Sequence, residues 1–256
     1  MKTLREFVYT NKLFTVAHRG SSGTAPENTM AAFSEALESG AMMIETDVQF
    51  TADGEIIAFH DFSLDRLANG PKDEEEFTYS SVKDLDVGSW FDPKFEDERI
   101  PKLEDILKLL SGKTYLDLEL KTRKGKESDD NLKKLIRTIY DYGFEDKMMF
   151  CSFNYGLLQR IKEIDKKLHI GAIKLPDDYT LPSELARTIK IDAFICALDE
   201  LKHRVCEDAV KNNIFIGVYS VDTSEDLKKV LGFDVKAIAT NFPEKITQEL
   251  RSVRSI

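Results

Sequence analysis

The feature that most constrains this chain is a rhythm. Short runs rich in β-branched and aromatic residues recur at 15–18, 43–50, 56–60, 115–121, 148–153, 169–174, 192–198, 214–221 and 237–242, with helix-period stretches between them. In "NTMAAFSEALESGA", Asn28 is placed to cap a helix, Met30, Phe33 and Leu37 fall on one face, and Gly40 stops it. "DDNLKKLIRTIYDYG" and "EDLKKVLG" show similar spacing and also end in glycine. Strands that are apolar almost throughout, alternating with helices, imply a parallel sheet covered by helices. Eight such units in 256 residues fit a closed TIM (β/α)8 barrel, and no Gly-x-Gly-x-x-Gly turn follows the first strand to favour an open dinucleotide-binding sheet. The expectation is therefore an α/β chain with one domain over residues 1–256. Residues 61–101 break the rhythm: they are acidic, turn-rich, hold the only tryptophan (Trp90) and are too long for an ordinary connection. They read as a small inserted subdomain after the second strand, folded over one end of the barrel.

The strand ends carry unusual chemistry. Glu45 and Asp47 sit two residues apart in "MIETDVQF", so on a strand both carboxylates point the same way. "YLDLELK" repeats the arrangement with Asp117, Glu119 and Lys121, "VAHRG" ends in His18 and Arg19, and "IIAFHD" in His60. In a parallel barrel the C-terminal strand ends share one mouth, where the fold does its chemistry. Glu45, Asp47 and Glu119 bring three negative charges against two positive ones from Arg19 and Lys121. Two unit charges 4 Å apart interact by about 4 kcal/mol at an effective dielectric near 20. Such a trio protonates in part or binds a cation. An all-oxygen donor set favours a hard divalent ion, Mg²⁺ or Ca²⁺ with Mn²⁺ as a third option, and the resulting single positive charge suits a phosphodiester.

Composition excludes some partners. The net charge of −10 argues against nucleic acid and against stable association with an anionic membrane. No apolar run approaches a membrane span, and "MKTLREFVYTNKLF" lacks the apolar core of a signal peptide. Cys151, Cys196 and Cys206 are odd in number and widely spaced, reading as buried free thiols of a reducing compartment, so the cytoplasm is the expected location. Oligomeric state, including a homo-oligomer, is left open.

Taken together, "HRG", "PENT", "IETDVQFTADGEIIAFHD", "DR" with "NG", "GSWF", "ERIPKLEDIL", "LDLELK" and "CSFN", in this order within residues 18–154, resemble the glycerophosphodiester phosphodiesterase family. The resemblance implies metal-dependent hydrolysis of glycerophosphodiesters to sn-glycerol 3-phosphate and an alcohol. It implies Glu45, Asp47 and Glu119 as metal ligands, His18 and His60 as the acid–base pair, and Arg19 and Lys121 as the phosphate clamp. Tyr219 stands where the family often has tryptophan, and Asp222 where asparagine is frequent. Phe153 and Tyr219, at later strand ends, are candidate substrate-pocket residues, with Lys174 and Asn241 on the same rim. Two rival functions are a lysophospholipase D acting on lysolipids with the same site, and a barrel without catalysis that binds a ligand. Asp117 reads as a buried partner, Arg66 as a pin for the insertion, His169 as structural because it opens its strand, and the run 73–76 as a solvated loop.

Overall fold

The structure is a computed structural model and describes residues 1–66, 77–122 and 127–254. Nine strands are present among them: β1 (Phe14–Ala17), β2 (Met43–Phe50), β3 (Ile56–Ala58), β4 (Tyr115–Leu120), β5 (Met148–Ser152), β6 (His169–Ile173), β7 (Ala193–Ala197), β8 (Phe215–Tyr219) and β9 (Ala237–Thr240). The helices are α1 (Leu4–Thr10), α2 (Met30–Glu38), α3 (Tyr79–Val82), α4 (Leu103–Leu110), α5 (Asp129–Asp141), α6 (Tyr155–Ile164), α7 (Pro182–Ile189), α8 (His203–Lys211), α9 (Ser224–Val230) and α10 (Pro243–Arg254). All strands but β3 are parallel neighbours, and β1 pairs with both β9 and β2, so the sheet closes on itself as an eight-stranded TIM barrel.

Strand parity divides the side chains into two layers. Ile44, Leu116, Leu118, Phe150, Ile170, Phe194, Ile216 and Ile238 pack outward against the helices. Val16, Met43, Tyr115, Met149, Cys151, Ile195, Phe215 and Ala237 pack together as a second core inside the barrel. Helix α1 joins this inner core, with Leu4, Phe7 and Val8 buried and the Phe7 ring stacked on Tyr115 at 4.0 Å. It closes the end where the strands begin. Burying each such side chain stabilises by roughly 1.5–3 kcal/mol. The α1 helix was not foreseen, although Thr3 and Glu6 form a capping box that the sequence displays. His169 opens β6 at this closed end, its Nδ1 3.4 Å from Asp192 Oδ1.

One strand departs from expectation. Ile56–Ala58 pairs antiparallel with the outer end of β2, Val48 opposite Ala58 and Phe50 opposite Ile56, so His60 is not carried by a parallel barrel strand. Five residues separate β2 from β3, far too few for a parallel crossover, and Gly54 at φ +76° makes the turn. The hairpin folds back over the mouth, and the chain beyond it continues into the 61–101 stretch. Its described part forms a satellite core in which Leu64, Phe77, Val82, Val87 and Ile100 pack with Ile57 and Phe59. The 73–76 run lies outside the described residues.

Candidate active site

The inner parity that fills the barrel with apolar residues turns polar toward the mouth. Above Met43 come Glu45 and Asp47, above Tyr115 come Asp117, Glu119 and Lys121, and beyond Val16 comes His18. These groups meet in a cavity of about 330 Å³, whose lining includes His18, Arg19, Glu45, His60, Glu119, Lys121, Phe153 and Tyr219. Asp117, Cys151, Ile173, Ile195, Ser220 and Ala239 complete it. Six of these lining residues, with Asp47 fully buried behind them, are those assigned from sequence to the ion, the proton transfers and the phosphate; Phe153 and Tyr219 also lie on the wall.

The turn after β1 is built for its task. His18 continues the ladder, its N–H donating to the Thr240 carbonyl at 3.0 Å. Arg19 then adopts φ +56°, a conformation L residues rarely hold, and its N–H donates to Glu45 Oε2 at 2.8 Å. Gly20 follows at φ +79°, where a Cβ would lie 2.6 Å from the Ala32 carbonyl carbon, so helix α2 can approach only a glycine. Asn28 is not the cap of that helix: Thr29 accepts from the Ala32 N–H instead. Asn28, at φ +56°, donates to Asp47 Oδ2 at 2.9 Å and accepts from the Asp47 N–H and from Thr46 Oγ1. The expected capping role of Asn28 is overturned because the buried Asp47 carboxylate claims its side chain.

The carboxylates are close and unequal. One oxygen from each of Glu45, Asp47 and Glu119 lies within 4.8 Å of the others. Asp47 faces Arg19 Nε at 3.1 Å and Lys121 Nζ at 3.2 Å, while Glu119 faces Lys121 Nζ at 2.5 Å. Burial alone would raise the Asp47 carboxyl, but these cations outweigh it and bring it down to about 2. Burial pushes Glu119 up to about 7, with the Asp47 charge adding to the rise. Burial and the same neighbour push Glu45 well above the usual carboxylate range. Asp117, deeper in the barrel, is raised to about 7 chiefly by burial. Buried Glu45 Oε1, Asp47 Oδ1 and Glu119 Oε1 have no hydrogen-bond donor in good geometry, the last two meeting only the Lys121 charge. Three convergent oxygens of this kind fit a hard divalent ion.

The two histidines enter with different neighbours. His18 Nδ1 lies 2.8 Å from Asn241 Oδ1, and its Nε2 lies 3.9 Å from Glu45 Oε2. Burial, then the Arg19 charge, hold its imidazole below the usual range. His60 Nδ1 lies 2.6 Å from Asp61 Oδ1. Gln49 fixes the backbone on both sides of His60, donating to the Phe59 and Asp61 carbonyls at 2.9 and 2.8 Å. Arg66 does more than pin the insertion: its Nε donates to Asp61 at 2.6 Å, and its two terminal nitrogens donate to the two oxygens of Glu27 at 2.9 and 2.7 Å. Glu27 also accepts from Arg19 at 2.8 Å. Glu27 was not singled out beforehand, although "PENT" put it next to Asn28. Lys174, a rim candidate, is engaged by Glu200 at 2.5 Å.

Fold and site together define a TIM-barrel enzyme with an acidic, cation-ready mouth. The profile of the glycerophosphoryl diester phosphodiesterase family matches residues 18–245. A glycerophosphodiester phosphodiesterase from Caldanaerobacter subterraneus subsp. tengcongensis is 34% identical over 245 residues, covering 94% of this chain and 98% of the relative. A phosphodiesterase from Oleispira antarctica, solved in complex with the product sn-glycerol-3-phosphate, superposes with a TM-score of 0.87 at 25% identity, covering 95% of this chain and 99% of that one. A glycerophosphodiester phosphodiesterase from Agrobacterium tumefaciens gives 0.79 at 28% identity, covering 91% and 97%. This chain belongs to the glycerophosphoryl diester phosphodiesterase family, and with it is a phosphodiester hydrolase.

Proposed function

We propose that this enzyme hydrolyses glycerophosphodiesters to sn-glycerol 3-phosphate and an alcohol, with one divalent cation and two histidines acting as base and acid. The observation that carries the reading is the convergence of three carboxylates, two cations and two imidazoles on one cavity of about 330 Å³. The product held by the Oleispira antarctica relative supports the glycerophosphate half of the substrate. Glu45, Asp47 and Glu119 would hold the ion, Mg²⁺ or Ca²⁺ before Mn²⁺, and when bound it neutralises charge on the phosphoryl oxygens. Arg19 and Lys121 hold the phosphate, and Phe153 and Tyr219 form the wall for the alcohol. Residues 1–256 act as one domain, with 61–101 as its insertion.

The histidines divide the work by their partners. His18, kept neutral by burial and by Arg19, is the base; His60, with the Asp61 carboxylate at 2.6 Å to balance a doubly protonated ring, is the acid. His18 Nε2 takes the proton of the substrate's glycerol 2-hydroxyl as that oxygen bonds to phosphorus. The bond from phosphorus to the alcohol breaks, and His60 Nε2 gives its proton to the leaving oxygen. Water then opens the cyclic phosphate with the roles reversed, His60 accepting its proton and His18 returning one to the 2-oxygen.

The test is release of sn-glycerol 3-phosphate from glycerophosphocholine and glycerophosphoethanolamine with chelator, Mg²⁺, Ca²⁺ or Mn²⁺. Metal-dependent release abolished by His18→Ala and by Glu45→Ala is the expected result. Release in chelator, or activity surviving Glu45→Ala, would overturn it.

A further inference from the structure

We infer that Asp222 is a positioning residue that acts through Asn241 to lock His18 in one tautomer, Nδ1 protonated and Nε2 presenting its lone pair to the cavity. The inference rests on the base role proposed for His18.

An amide beside an imidazole does not by itself fix a proton. Either end of the asparagine could face the ring, and either ring nitrogen could carry the hydrogen. Asp222 removes that freedom. Its Oδ2 lies 2.7 Å from Asn241 Nδ2, and its Oδ1 accepts from the Asn241 backbone N–H at 2.7 Å and from Thr240 Oγ1 at 3.0 Å. An ionised carboxylate only accepts, so the NH₂ end of Asn241 must face it. A flipped amide would set two oxygens against each other at that distance and leave both without a donor.

With the NH₂ end committed, Asn241 Oδ1 faces His18 Nδ1 at 2.8 Å and Ser22 Oγ at 2.9 Å. Carbonyl oxygens accept, so the ring must donate from Nδ1. Nε2 is then the atom left to take a proton, and it is the one directed toward Glu45. The device joins the ends of three neighbouring strands: Asp222 follows β8, Asn241 follows β9 and His18 follows β1. Asparagine at 222 would free the choice. Its own NH₂ could then donate to Asn241 Oδ1, turning the Asn241 NH₂ toward His18 and moving the ring proton to Nε2.

The test is nitrogen NMR of ¹⁵N-histidine-labelled protein loaded with Mg²⁺, at a pH where the rings are neutral. The chain has four histidines, so a single His18→Gln variant assigns the signal. Wild type should show His18 with a protonated Nδ1 and a bare Nε2. Asp222→Asn should turn this into a mixture and lower kcat about tenfold at nearly constant KM. The exchanged pair Asp222→Asn with Asn241→Asp again places an acceptor-only group against Nδ1, and should restore the spectrum of the neutral ring. A protonated Nε2 in the wild type would overturn the inference even if Asp222→Asn fails to fold. An unchanged spectrum and kcat in Asp222→Asn, or no recovery in the exchanged pair, would do so as well. If His18→Ala retained turnover, the base role would fall instead, a result the wild-type spectrum does not depend on.

Discussion

His18 and His60 look into the same cavity from two differently built surroundings. His18 leans on a neutral amide, Asn241, at the junction of strands that pair by backbone ladder. His60 leans on a carboxylate, Asp61, at the end of a hairpin, in a chain of charge running through Arg66 and Glu27 to Arg19. An amide that accepts from an imidazole favours its cationic form less than a carboxylate does, and at His18 burial and the Arg19 charge outweigh it. Two residues of one chemical type thereby acquire opposite jobs, and the difference lies in their partners.

The sharpest way to break this contrast is to change the leaving group. General acid–base groups each contribute about 10²–10⁴-fold. His18→Ala should lose about that much on glycerophosphocholine and on a glycerophosphoryl p-nitrophenyl ester alike. His60→Ala should lose as much on the choline substrate but no more than about tenfold on the p-nitrophenyl ester, because that alcohol departs without a proton. Pre-steady-state release of the alcohol, which precedes the ring opening in which His60 is the base, decides it on the two esters: equal losses for His60→Ala on both would end the assignment.

A smaller effect probes the charged surroundings alone. Arg66 makes a two-pronged contact with Glu27 and a third with Asp61, each charge-assisted. Arg66→Ala should slow this first-step release about tenfold on the choline ester and less on the p-nitrophenyl ester, with Arg66→Lys between wild type and Arg66→Ala. A loss identical on both esters would show that Arg66 serves the fold or the phosphate grip of Arg19, not the acid.

The same contrast separates what could be read from the sequence from what could not. Glu45, Asp47, Glu119, Lys121 and His18 were legible because strand parity and the common mouth of a parallel barrel place them without any tertiary detail. His60 was found on a mistaken premise, since the five-residue turn before β3 demanded a hairpin. The supporting partners were hidden by distance along the chain: Asn241 is 223 residues from His18, and Glu27 is 39 from Arg66. Asn28 shows the limit most clearly. Its type and place before a helix are those of a cap, and only the buried Asp47 carboxylate explains why Thr29 caps the helix instead.

The smallest expected effect is on stability against pH, and it too distinguishes the two surroundings. The folded His18 imidazole is held below its usual value by burial and by Arg19, so below about pH 6.5 the unfolded chain takes up a proton that the folded one refuses. The His18 contribution to stability then falls as pH drops through that window, by up to about 1.4 kcal/mol per pH unit, while the raised Glu119 and Asp117 carboxyls contribute in the opposite sense. Glu27 behaves alike at a lower pH. Burial would raise its carboxyl, but the Arg66 hydrogen bond and the Arg19 charge outweigh burial and lower it, so its contribution is intact above about pH 4.3 and is lost only below. His18→Gln should therefore gain stability relative to wild type as pH falls from about 6.5, while Glu27→Gln should do so only below about pH 4.3. Urea unfolding in chelator from pH 7.5 to 3.5 reads both, with differences of about 1 kcal/mol, or 2–4 °C in Tm. A relative gain for Glu27→Gln near pH 6 would mean that Glu27 and His18 are not independent, and the two surroundings would then have to be treated as one.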